Sequence, residues 1–207
     1  MRITIFGATG GTGGHLVRQA LAAGHDVTAV VRDPARLSIT GLEVVRADVM
    51  DPDAIGPFVA GRDIVISALG PRRGTKEPVC APGASSIIAA IRAAGGRRLV
   101  VVTAAGHVVD PADDFATRYL AKPILRRLLR RAFADFAATD AVVTASGLDW
   151  TIMRPSRLTN GDHKPYRTAV DHVVRGGSSI SRADLAAATL AAAEDSGTIG
   201  HAVAVGY

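Results

Sequence analysis

Short apolar runs alternate with longer amphipathic stretches from one end of the chain to the other. The runs at 3–6, 26–31, 43–46, 63–67, 98–103, 150–153 and 202–205 are rich in Val, Ile and other strand-forming residues and read as strands. Between them, apolar residues recur at helical spacing over 15–21, 52–59, 83–94, 123–145 and 183–194. The punctuation agrees with this division. Asp33-Pro34 and Asp51-Pro52 each pair an N-cap with a proline at the first helical position. Ser146-Gly147 closes the fourth helix, and Ser181-Arg-Ala-Asp184 resembles a capping box. The run from Asp63 to Ser67 is almost continuously apolar, which predicts burial on both faces of a parallel sheet. Strand–helix alternation without linker or repeat predicts one α/β domain over residues 1–207, with a doubly wound, mostly parallel sheet. The weakly periodic stretch 104–121 and the polar stretch to about Gly177 are expected to be loops on the substrate side.

Composition narrows the class. Apolar residues make up 48% of the chain but aromatics only 4%, so the core is expected to be Ala, Val, Leu and Ile. A single cysteine, Cys80, excludes an internal disulfide framework and fits a reducing, cytoplasmic compartment. No signal pattern precedes the first strand and no apolar run reaches membrane-spanning length, so no membrane association is expected. The net charge of +5 raises the question of nucleic acid. The densest basic cluster, Arg126-Arg127-Leu-Leu-Arg130-Arg131, forms a helical stripe with Leu125, Leu128 and Leu129 on the other face. It has no accompanying aromatic platform, so it reads as a solvated face and no nucleic-acid partner is expected.

The stretch with most chemistry is Gly7-Ala-Thr-Gly10-Gly-Thr-Gly13, set between the first strand and the first helix. That context is what a dinucleotide-binding fingerprint requires, here spaced G-x-x-G-x-x-G. Gly7 lets the chain reverse, Gly10 lets backbone approach a pyrophosphate, and Gly13 lets helix and sheet pack closely. The helix N-terminus then offers free N–H groups to the phosphates.

In open parallel sheets the ligand lies beyond the carboxyl ends of the strands. Those ends carry Gly7–Gly13, Arg32, Asp48, Gly70, Thr103 and Arg154–Arg157. An acidic residue ending the second strand binds a ribose 2′-hydroxyl, whereas arginine accommodates a 2′-phosphate. Asp33 stands 20 residues after Gly13 but is expected to cap the turn at Pro34, which leaves Arg32, helped by Arg36, for the phosphate. NADP is therefore expected in preference to NAD. Asp48 is a candidate acceptor for the adenine amino group, with a strand-end cap as its other reading. The six histidines have no metal spacing and read as surface or cap residues; no metal is expected. Ser67 and Ser156 lack placed partners for a hydrolase triad, and nothing marks Cys80 as reactive.

These residues, with Val31-Arg-Asp-Pro-Ala-Arg-Leu37, Ala47-Asp48-Val49, Ala68-Leu69-Gly70, Asp149-Trp-Thr-Ile-Met-Arg-Pro155 and Ile180-Ser-Arg-Ala-Asp184-Leu185, resemble the atypical short-chain dehydrogenase/reductases. The likeness is nearest to the NAD(P)H-binding group that includes flavin reductase/biliverdin-IXβ reductase and the NmrA-like proteins. It runs nearly end to end and implies a Rossmann fold. It also implies cofactor contacts from Gly7, Thr9, Gly10, Gly11, Thr12, Gly13, Arg32, Arg36, Asp48, Val49, Ala68, Leu69, Gly70 and Arg72. Thr103, Pro155, Ser156 and Arg157 would then lie near the nicotinamide, with Thr103 and Arg157 as the candidate catalytic residues.

The departures bear on mechanism. The Tyr-x-x-x-Lys pair of most short-chain dehydrogenases is absent: Tyr119 is followed by Pro123, and Tyr166 by Val170. Tyr119 with Lys122 has the wrong spacing, and Ala104 and Arg157 replace the serine and histidine of the biliverdin-IXβ reductase-like proteins. The expected function is an NADPH-dependent reductase passing hydride to a flavin, quinone or similar planar acceptor. An NmrA-like sensor that binds NADP(H) without turnover is the alternative. An epimerase is disfavoured by the missing pair. A monomer or small homo-oligomer is expected.

Overall fold

The computed structural model describes residues 1–71, 77–108, 110 and 127–207. Eight strands form one sheet in the order β3-β2-β1-β4-β5-β6-β10-β8. They are β1 (Arg2–Phe6), β2 (Asp26–Val31), β3 (Glu43–Arg46), β4 (Ile64–Ser67), β5 (Arg98–Val102), β6 (Asp149–Pro155), β8 (Arg167–Val170) and β10 (His201–Gly206). Every neighbouring pair is parallel except the edge strand β8, which runs antiparallel to β10. The order reverses between β1 and β4, which is the switch point where doubly wound folds open a crevice. Two further short strands, β7 (Arg157–Thr159) and β9 (Ser179–Ser181), pair in parallel beside the main sheet.

The two faces are covered by separate helix layers. On one, α1 (Gly11–Ala22) and α5 (Arg182–Glu194) bury Leu16, Val17, Ala20, Leu185 and Ala188 against Ile3, Ile5, Val100 and Val102. On the other, α2 (Pro52–Val59), α3 (Cys80–Ala93) and α4 (Arg130–Thr144) bury Ile55, Ile87, Ile91 and Val143 against Phe6, Val65, Leu99 and Val101. Successive strand residues thus serve opposite cores, which is why the runs are apolar throughout instead of alternating. All four residues of β4 are buried.

The helix starts follow local chemistry. The Asp33 carboxylate accepts from the Ala35 amide, and the Asp51 carboxylate from those of Asp53 and Ala54, each just ahead of its proline. Three differences from the sequence reading stand out. The polar stretch expected as a loop to Gly177 contains β7 and β8, which form strands through pairing with β9, just beyond it, and with β10. Helix α3 begins at Cys80, three residues early, because the buried Asp135 of α4 caps it from across the interface. Leu128 and Leu129, expected to pack beneath the basic stripe, are 75% and 45% exposed just ahead of α4. Arg72, Tyr119, Lys122, the start of the helix at Pro123 and most of the expected 104–121 loop lie outside the described residues.

Candidate functional site

The chain leaves β1 into a turn that only glycine can build. Gly7 has φ +78°, and a Cβ there would stand 2.5 Å from the Ala68 carbonyl oxygen at the end of β4. A Cβ on Gly13 would stand 2.1 Å from the Gly7 carbonyl oxygen, so helix and strand end are in direct backbone contact. The Gly10 amide donates to the Gly7 carbonyl at 2.9 Å, and Gly10 is the N-cap of α1. No side chain caps that end and no acidic residue occupies the first turn, so the orphan N–H groups and the positive pole of the helix face outward.

They face a cleft of about 800 Å³ at the switch point, a volume within the range of small-molecule and cofactor sites. Gly7, Thr9, Gly10 and Gly11 form one wall, Arg32 and Arg36 stand beyond β2, and Ala68, Leu69 and Gly70 follow β4. Val49 lines it from the end of β3. Among the described residues the lining includes Arg32, Arg36 and Arg182 and no acidic side chain. Both Arg32 and Arg36 are exposed, ready to meet an anion, while the Asp33 carboxylate between them is taken by its cap. The Arg182 guanidinium donates to Asn160 Oδ1 at 2.6 Å.

Other sequence candidates lie elsewhere. Thr12 and Gly13 sit in the first turn of α1, outside the lining. The Asp48 carboxylate accepts from the Met50 amide at 3.1 Å, the strand-end turn of its other reading, and is also outside it. Pro155 closes β6, and the Ser156 hydroxyl donates to the Gly177 carbonyl at 2.7 Å. Arg157 is exposed at the start of β7. Thr103 continues β5 through its amide bond to the Met153 carbonyl, and its buried hydroxyl has no partner among the described residues.

Near Thr103, beyond the ends of β5 and β6, lies a polar cluster that the sequence did not announce. The Asp140 carboxylate of α4 accepts from Arg154 of β6 at 2.8 Å and pairs with His107 Nε2 at 2.9 Å. The His107 side chain is only 6% exposed, where a surface or cap histidine was expected, and it packs near the rings of Phe133 and Phe136. The residues the sequence missed in the cleft are Arg182 and the apolar lining Phe6, Ala8, Val30, Val31, Ala47, Pro71 and Val79. Arg182 sits inside the Ser181–Asp184 capping box, so its local signal was a helix start and its place in the cleft follows from topology alone.

Cys80 is no nucleophile here. Burial pushes its thiol far up, the Asp135 charge adds to that, and Sγ donates to the Leu69 carbonyl at 3.6 Å. No described helix is long and apolar enough to cross a membrane.

Against known proteins, the NAD(P)H-binding family model matches residues 7–196. The uncharacterized protein YwnB of Bacillus subtilis is 30% identical over 200 residues, covering 92% of this chain and 91% of that protein. The oxidoreductase ylbE from Lactococcus lactis shares the fold at a TM-score of 0.85 and 19% identity, covering 100% of this chain and 90% of its own. A short-chain dehydrogenase/reductase (wide type) from Veillonella parvula, solved in complex with NADP, superposes at a TM-score of 0.79 and 22% identity, covering 100% and 94%. With the glycine turn, the switch-point cleft and this match over most of its length, the chain belongs to the NAD(P)H-binding family and has its Rossmann fold.

Proposed function

We propose that the chain is an NADPH-dependent reductase that passes hydride to a flavin, quinone or similar planar acceptor. The observation that carries the reading is the charge of the cleft, which among the described residues has three arginines, no acidic side chain and a helix N-terminus without a side-chain cap. The glycine turn receives a diphosphate through backbone N–H groups, and Arg32 with Arg36 receives a 2′-phosphate beyond β2. Val30, Val31, Ala47 and Val49 give the adenosine side an apolar wall. From the glycine turn, a dinucleotide continuing past Leu69 and Gly70 reaches the ends of β5 and β6, where Thr103 holds a hydroxyl with no partner among the described residues.

Bound NADPH supplies a hydride, which the acceptor takes with one proton from water. A planar conjugated acceptor spreads the added charge through its own ring system and needs little acid catalysis from the protein. This fits a chain without Tyr-x-x-x-Lys. Arg157 then stabilises the negative charge that develops on the acceptor. Arg157→Ala should lower turnover or acceptor affinity about tenfold, near 1.4 kcal/mol, with NADPH binding unchanged.

The test is NADPH oxidation followed by absorbance with FMN, a small quinone and a redox dye in turn. Turnover with at least one is expected. Tight NADPH binding with no turnover on any of them would overturn the reductase in favour of a sensor.

A further inference from the structure

We infer that Arg182 is a diphosphate clamp, laid over Gly11 so that it holds the cofactor's diphosphate together with the backbone N–H groups of the glycine turn. The inference rests on the reading of the cleft as an NADP(H) site and names a residue of that site outside the glycine motif. Arg182 is the first residue of α5, and it lines the cleft together with Gly10 and Gly11. A Cβ on Gly11 would stand 2.6 Å from Arg182 Cδ and 2.8 Å from Nε. The arginine side chain therefore lies directly on the bare backbone of the turn. Gly11 is the first residue of α1 and its φ is not positive, so the turn itself does not demand glycine there. The space beside it is what Arg182 uses.

The guanidinium is aimed and not neutralised. Its described hydrogen bond goes to the neutral amide oxygen of Asn160, and no carboxylate pairs with it among the described residues. One bond spent on Asn160 leaves other N–H groups of the planar fork for a ligand, and that fork matches phosphate oxygens in pairs. Beside it is the positively poled end of α1, which no side chain caps among the described residues. Two unneutralised positive groups packed side by side on one wall of a cleft are stable together when an anion binds both. Because Arg182 stands over Gly11 of the glycine turn, the anion it meets is the diphosphate common to both dinucleotides, not the 2′-phosphate that distinguishes them.

Asn160 is the positioning residue. It follows β7, and β7 pairs with β9, which leads directly into Arg182. The clamp and its tether thus belong to one small sheet, and that sheet starts at Arg157, on the proposed acceptor side.

The experiment is a fluorescence titration of NADPH and of NADH into the parent, Arg182→Ala, Arg182→Lys and Gly11→Ala proteins, with thermal unfolding of each as a fold control. Arg182→Ala should weaken both dinucleotides by the same factor, tenfold or more, leave their ratio unchanged, and leave adenosine 2′-monophosphate binding as in the parent. Arg182→Lys, which keeps the charge and loses the fork, should fall between. Gly11→Ala should push the side chain off the turn and weaken binding in the parent, yet add nothing in the Arg182→Ala background. Asn160→Ala should weaken both dinucleotides in the parent background and neither in Arg182→Ala. Unchanged affinity in Arg182→Ala, with the parent binding NADPH, overturns the clamp alone. A loss confined to NADPH would make Arg182 a 2′-phosphate ligand and also overturn it. An equal cost of Gly11→Ala in both backgrounds would set the methyl against the dinucleotide itself and overturn the packing argument. A parent that binds neither dinucleotide overturns the reading of the cleft, and the clamp with it.

Discussion

The carbonyl oxygen of Gly7 fills the space that a Cβ on Gly13 would need, leaving 2.1 Å between them. Gly10 differs: its Cβ would meet only that same oxygen, at 3.1 Å, and would otherwise point to open space. Two glycines of one motif therefore do different work. Gly13→Ala should cost about 3 kcal/mol of stability, the upper end of overpacking, measured by denaturant unfolding. Gly10→Val should leave the far-UV circular dichroism close to that of the parent and abolish NADPH binding. Retained binding in Gly10→Val would make the loop a structural turn.

Asp135 holds α3 in place from α4. One buried carboxylate accepts from the amides of Val79, Cys80 and Ala81, each at 2.9 Å. It satisfies orphan N–H groups of a helix whose own N-cap supplies no side-chain bond. Asp135→Ala should destabilise by about 3 kcal/mol, since buried donors are left unpaired. Asp135→Asn keeps an acceptor oxygen and should cost roughly half of that. Denaturant midpoints of the two variants check the order.

Asp184 gives the fold an acid-sensitive joint. Its side chain is 1% exposed, and burial alone raises its pKa. Hydrogen bonds from Tyr207, His163, Ser181 and the Lys164 amide outweigh that and hold it below the ordinary 3.8. A carboxylate depressed in the folded state contributes stability fully above its unfolded value. That contribution is lost as the pH falls through the lower folded value. Asp184→Asn should cost about 2 kcal/mol at neutral pH, and the penalty should shrink as the pH falls below 3.8 and through the lower folded value. A penalty that stays constant from neutral pH into acid would show that charge plays no part.

The strands and the glycine turn were legible because their information is local: apolar runs, caps and glycine spacing lie within a few residues of each other. What escaped the sequence was long-range. The β7–β9 pair joins Arg157–Thr159 to Ser179–Ser181, and each segment carries a single apolar residue, Leu158 or Ile180, too little to mark a strand. The early start of α3 depends on a carboxylate more than 50 residues away, as the separations of 54 to 56 for its three bonds show. His107, Asp140 and Arg154 were scattered in the chain and meet only once β5, β6 and α4 are assembled. Arg182 was in plain view, but as part of a capping box, and only the packing of α5 against α1 brings it to the cleft.

The most direct measurement is the affinity of the parent protein for NADPH and for NADH, titrated side by side and repeated with Arg32→Asp. NADPH should bind at least about tenfold more tightly than NADH, and Arg32→Asp should cost roughly 1.5–3 kcal/mol of NADPH affinity and remove most of the preference. Equal affinity for the two dinucleotides in the parent would contradict the role given to Arg32 and Arg36. Failure to bind either would contradict the assignment of the cleft itself.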